Sequence, residues 1–127
     1  MPYFPDLTPY EMRNDTEGPA LNIGWLDKEH AFNQGPVDED ICERIKQKCL
    51  FERVRLTRGW HQCPLCLRPQ FGTPVAGEKA LLGDAEIRVK GADSKVYTAP
   101  NLIYHYITEH AYQPPVEFLE AVRNSAV

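Results

Sequence analysis

Between Pro36 and Glu52 the apolar positions Ile41, Cys42, Ile45 and Cys49 recur at helical spacing, and the charges around them are sorted by sign. Asp38, Glu39 and Asp40 come first and Lys46 and Lys48 last, the order that complements a helix dipole, so the pattern predicts a helix over residues 37–50. Further along, AEIRVK (85–90) sets Ala85, Ile87 and Val89 strictly against Glu86, Arg88 and Lys90. KVYT (95–98) returns after Gly91-Ala92-Asp93-Ser94, and the period of two on either side of a turn predicts a β-hairpin. Helical spacing resumes in LIYHYITEH. With Thr98 as N-cap and Pro100 in the first turn, this predicts a second helix that starts around Ala99–Asn101. It ends by Gln113, because Pro114-Pro115 cannot continue it. A short terminal helix is predicted over 116–123.

The remaining stretches carry weaker patterns. Tyr3, Phe4, Leu7 and Tyr10 lie among Pro5 and Pro9, which rules out a long helix and makes residues 1–36 an extended arm whose aromatics pack on the body. Within it, residues 24–32 predict a short strand or turn anchored by Trp25 and Phe32, and Asn33-Gln34-Gly35-Pro36 is a turn. Residues 51–60 alternate in part and read as a strand leading into Cys63. LRPQFGTPVAGEKALLG (67–83) reads as a loop by its glycines and prolines, with a helical turn at 78–82. The fold class is therefore α+β in one small domain, with 51–113 as a zinc-finger-like unit built from a cysteine knuckle, a hairpin and a histidine-bearing helix.

A chain of 127 residues with 43% hydrophobic and 25% charged residues suits one soluble globular domain. No apolar run approaches the roughly 18 residues a membrane span needs. The first residues, MPYFPDLTPYEMRND, show neither the basic region nor the apolar stretch of a signal peptide. The expected compartment is the cytoplasm, where paired thiols serve as metal ligands more often than as disulfides. A net charge of −4 argues against nucleic acid as partner, since phosphate binding draws on a basic excess. Arg53, Arg55, Arg58 and Arg68 around the cysteines are a local exception, though a run of this size is more often just a solvated face.

The chemistry concentrates in HQCPLC (61–66) and HYITEH (105–110). Two thiolates from C-x2-C and two imidazoles from H-x4-H make a tetrahedral zinc set, so Cys63, Cys66, His105 and His110 are the expected ligands of Zn. The order is that of a finger, with an unusually long spacer. On an ideal helix an x4 spacing turns the second histidine by about 500°, some 140° away from the first. The pair therefore converges only if the last turn is loosened, and the prolines just beyond His110 make room for that. Against this stand three blander readings: free thiols in a turn with surface histidines, a redox CxxC, and His61 in place of one histidine. The redox motif expects to open a helix, which the tract after Cys66 does not resemble. Cys42 and Cys49 are too far apart along their stripe to clasp one ion by themselves and read as buried core thiols. His30 reads as a lone histidine.

Four protein ligands close a zinc shell, whereas a catalytic zinc keeps one position open. No H-x-E, HEXXH, G-x-S-x-G, P-loop or GxGxxG occurs, so no catalytic residue is assigned, no small-molecule substrate is evident, and the chain is expected not to be an enzyme. A protein-interaction module is the expected function. The alternatives are a nucleic-acid-binding finger using Arg53, Arg55, Arg58 and Arg88, and a zinc-dependent hydrolase. The finger is disfavoured because residues 99–110 hold no lysine or arginine with which to read a groove.

The blocks YFPDLTPY, GWLDKEHAFNQG, RGWHQCPLC, GDAEIRV and YTAPNLIYHYITEHAYQPPVEFLEAV cover most of the chain. In that order they resemble a family of small, uncharacterised bacterial proteins. The resemblance implies a bacterial cytoplasmic protein folded as one whole-chain domain and carries no established activity. Its size and acidity suit a partner that neutralises a toxin or other effector by binding it.

Overall fold

The computed structural model describes residues 3–10, 20–52, 63–66, 70–75, 78–82 and 85–125. In chain order the elements are β1 (Ala20–Asn22), α1 (Glu39–Phe51), β2 (Gln70–Val75), β3 (Glu78–Leu82), β4 (Glu86–Lys90), β5 (Val96–Pro100), α2 (Ile103–His110) and α3 (Val116–Asn124). The class is α+β, as the periodicities predict.

Helix α1 forms where the charge order places it. Asp38 is its N-cap, and the carboxylate accepts a hydrogen bond from the Asp40 amide at 2.9 Å, satisfying one of the orphan donors of the first turn. Its inner face is Ile41, Ile45 and Cys49, all buried, with Cys42 half-buried at the margin. The Lys48 stem is also buried, while its ammonium reaches Glu52 at 3.3 Å.

The main sheet has the order β1-β5-β4, with β1 parallel and β4 antiparallel to the central β5. Every residue of β5 is buried, as expected of a strand covered on both sides. Helix α1 packs against α2 and α3, and both α1 and α3 touch β4, so the core of Ile23, Ile45, Ile87, Ile103, Tyr106 and Phe118 lies between helices and sheet.

The arm extends along β1 and is held there by backbone. The Tyr10 amide donates to the Ala20 carbonyl at 2.8 Å and the Asn22 amide to the Thr8 carbonyl at 2.8 Å. Phe4 bridges to Trp25 and meets its ring edge-on at 5.7 Å. The anchoring role of Trp25 is therefore real; of the short strand or turn expected within 24–32 the turn is present, at residues 28–29, and the short strand lies just before, at β1.

Three further expectations are corrected. The tract read as a loop holds an antiparallel hairpin, β2 paired with β3, and 78–82 is strand and not a helical turn. Its Gly72 and Pro74 disguise it, and the register shifts between Gln70 and Thr73, as in a bulge. The second helix starts later than expected, because Ala99 and Pro100 stay on β5 opposite Ile87 and Glu86. Thr98 is thus a strand residue, and the α2 N-cap is Leu102, with no side-chain cap. The hairpin over 85–98 and the terminal helix are where the pattern places them. The expected strand at 51–60 falls on residues outside the described ones, apart from Phe51 and Glu52 at the end of α1.

Candidate metal centre

Cys63 and Cys66 sit on a short turn, and His105 and His110 on α2. The turn forms because Pro64 follows Cys63 directly and lets the chain reverse within four residues. The amides of Leu65 and Cys66 then point at the Cys63 sulfur and favour its thiolate. Burial acts more strongly in the opposite sense and pushes the Cys63 thiol up to about 11 in the absence of a cation.

The helix supplies the other half through its irregular end. Ala111 adopts the left-handed conformation (φ 56°), and its amide donates to the Tyr106 carbonyl, five residues back instead of four. The Tyr112 amide joins the same carbonyl at 3.1 Å. This wider last turn brings residues five apart towards one face, which a regular α-helix cannot do. The His105 and His110 rings consequently lie edge to face at 5.1 Å. The loosening expected from the H-x4-H spacing is present, and its agent is the αL residue at 111.

All four donor atoms lie within 4.8 Å of one another. Cys63 Sγ is 3.5 Å from His110 Nε2, and Cys66 Sγ is 3.5 Å from His105 Nε2. A cation held tetrahedrally at about 2.3 Å from sulfur and 2.0–2.1 Å from nitrogen would leave neighbouring S and N atoms roughly 3.5–3.6 Å apart. These two separations match that edge, and with all four donors within 4.8 Å the set is close enough to hold a four-coordinate divalent ion. All four expected ligands come together. Cys42 and Cys49 do not join them: Cys49 lies in the core with its thiol pushed up to about 12 by burial.

Burial is uneven across the site. Cys63 and His105 are buried, whereas Cys66 and His110 are half-exposed. A cleft of about 450 Å³, walled by Phe32, Gln34, Leu65, Glu109 and His110, opens beside the half-exposed edge. The Gln34 amide steadies this wall by donating to the His110 carbonyl at 3.0 Å.

Tyr106 belongs to the site although the sequence reading passed over it. The side chain is fully buried and its hydroxyl has no hydrogen-bond partner among the described residues. Burial, followed by the negative charge Cys63 and Cys66 would carry, pushes its ionisation well above the usual phenol range, which places it within electrostatic reach of both sulfurs. Its sequence context gives no signal of this, since a tyrosine within an apolar helix reads as a core aromatic.

Of the other histidines, His30 stacks flat on Tyr3 at 3.9 Å and bonds Asp27 at 2.7 Å, a lone exposed histidine as expected. His61 and Arg53, Arg55, Arg58 and Arg68 lie outside the described residues. Arg88 is half-buried on β4, 3.8 Å from Glu86.

The chain belongs to a family defined as a domain of unknown function, DUF7919, which it matches over residues 2–123. No curated protein and no solved structure matches it.

Proposed function

We propose that the four-residue centre holds zinc as a structural clasp and that the protein, cytoplasmic and bacterial, acts by binding another protein. The observation that carries this reading is the closed donor set. Two sulfurs and two imidazoles within 4.8 Å of one another, two of the S–N pairs at 3.5 Å, are enough donors to complete a zinc shell, whereas a catalytic zinc keeps one position open. Soft sulfur with imidazole in a tetrahedron favours zinc over magnesium or calcium, which take oxygen ligands.

The partner reading draws on the surface. Glu39, Asp40 and Glu43 are exposed on α1 next to its N-cap Asp38, and Glu117 and Glu120 on α3. Arg123, Lys46 and Lys95 pair Asp38, Glu43 and Glu117, and the face stays acidic in balance. A face of this sign suits a basic protein surface and speeds encounter with it. It repels nucleic acid, and on α2 the exposed residues are Thr108 and Glu109, neither of which offers a phosphate a positive charge.

Elemental analysis of protein purified without chelator should give about one zinc per chain. Affinity capture with the wild type, and with a variant in which Asp38, Glu39 and Asp40 are replaced by Lys, tests the rest. A partner held by the first and lost by the second supports the reading. A protein that takes up no zinc overturns the clasp, and an enriched nucleic acid overturns the partner class.

A further inference from the structure

We infer that Cys63 and Cys66 are an oxidant-reactive pair, a modification site at which a hydroperoxide converts the clasp into a disulfide and expels the metal. The inference rests on the metal reading above. It starts from the unequal exposure of the two sulfurs. Cys63 is 0% exposed, while Cys66 is half-exposed on the edge that carries His110. Beside that edge lies the cleft of about 450 Å³, walled by Leu65, the residue between the two cysteines' proline and Cys66, and by His110 itself. Of the two cysteines only Cys66 is partly open to solvent, so it is the one a small hydroperoxide meets first. The two sulfurs, moreover, lie within 4.8 Å of each other on a single four-residue turn, so the second can follow the first without the body of the protein moving.

The step balances as written. The Cys66 thiolate attacks the distal oxygen of the hydroperoxide; an S–O bond forms, the O–O bond breaks, and the alkoxide leaves and takes a proton from water. The Cys63 thiolate then attacks the sulfenic sulfur, the S–S bond forms and hydroxide departs. Two electrons have passed from the sulfurs to the peroxide. Two anionic ligands are gone, and two imidazoles do not retain a divalent ion in competition with water and cellular thiols.

The consequence is local. The 63–66 turn is joined to α2 through the centre, Cys66 to His105 and Cys63 to His110, and oxidation cuts both links at once. Leu65, packed against the core, is then free to leave, so the cleft changes shape on oxidation.

The test uses the zinc-loaded full chain and hydrogen peroxide, with a metallochromic dye to follow release and peptide mass spectrometry to locate the oxidation. Loss of the whole zinc equivalent, with two hydrogens lost from the peptide holding Cys63 and Cys66, is the expected result. Dithiothreitol plus zinc should restore the starting protein, and Cys42→Ala should respond as the wild type does. Zinc retained under peroxide, or oxidation that falls on Cys42 or joins Cys42 to another cysteine, overturns the inference while leaving the clasp intact. Protein that binds no zinc at the outset fails at the earlier step, and the two failures are told apart by the metal content before peroxide is added.

Discussion

At the scale of single residues, the four cysteines fall into two pairs with different duties. Cys63→Ser and His105→Ala each remove a donor from a set that has no spare, and both should bring zinc content close to zero. Cys49→Ala should keep full zinc and cost on the order of 1 kcal/mol in urea unfolding, the usual size for a modest core truncation. Metal retained in both ligand variants would show that the donors are assigned wrongly. Sequence spacing was enough to choose four residues whose donor atoms come together, since C-x2-C and H-x4-H are local patterns whose chemistry is written in the residue types. It could not supply Tyr106, because a tyrosine inside an apolar helix looks like any core aromatic until its hydroxyl is found buried without a partner.

Among the elements, the end of α2 decides whether the centre exists. Ala111 carries a positive φ of 56° at the C′ position, where glycine is the favoured residue because a Cβ is strained there. Ala111→Gly should therefore stabilise the protein by roughly 0.5–1 kcal/mol while leaving zinc stoichiometry unchanged. Ala111→Val, which resists the left-handed region, should destabilise it and weaken zinc binding together, read by competition with a chelating dye. Helix α1 was legible from the sequence because charge order and apolar stripe agree. The β2–β3 hairpin was not, since its glycine and proline mimic a loop. Nor could the start of α2 be placed, because β5 runs on through Pro100 to pair with Glu86, a contact between strands that no local propensity contains. The parallel pairing of β1 with β5 was hidden for the same reason.

For the whole molecule, the clasp and the core are partly independent. Structural zinc contributes on the order of 10–16 kcal/mol in finger peptides, and a domain of this size has about 5–15 kcal/mol in total. Here, however, Leu102, Ile103 and Tyr106 seat α2 in a core shared with α1 and α3. Chelation should thus remove amide-exchange protection from 63–66 and 105–110 while α1 and the β4–β5 pair keep theirs. Unchanged exchange at 105–110 after zinc is stripped would mean that the metal holds nothing in place. Alkaline pH probes the core separately. Burial raises the ionisation of Tyr106 and of Tyr112, the latter helped by the Asp6 carboxylate that accepts its hydroxyl at 2.8 Å. A group whose pKa is higher folded than unfolded gives stability that is complete below the unfolded value, about 10 for tyrosine, and is lost as pH climbs past it. The buried Cys49 thiol, raised to about 12, acts the same way from the unfolded thiol value of about 8.5. Denaturation curves should therefore hold level up to about pH 8.5, fall beyond it and fall more steeply above about 10, where Tyr112→Phe should flatten the fall.

Asp6 takes a hydrogen bond from the Gly24 amide on one oxygen and from the Tyr112 hydroxyl on the other, joining positions 106 residues apart. This joint sets a timetable for synthesis. At roughly 5–20 residues per second, the arm waits about 5–20 s between its own emergence and that of the tyrosine it fastens to. Over most of that interval β5 does not yet exist, so Ile23 and Trp25 have no strand to close over them. The nascent chain thus leaves the apolar surface of Ile23 and Trp25 uncovered until β5 arrives. A stalled ribosome carrying residues 1–95 would display that surface indefinitely, and release of the last thirty-odd residues would hide it in a single cooperative step.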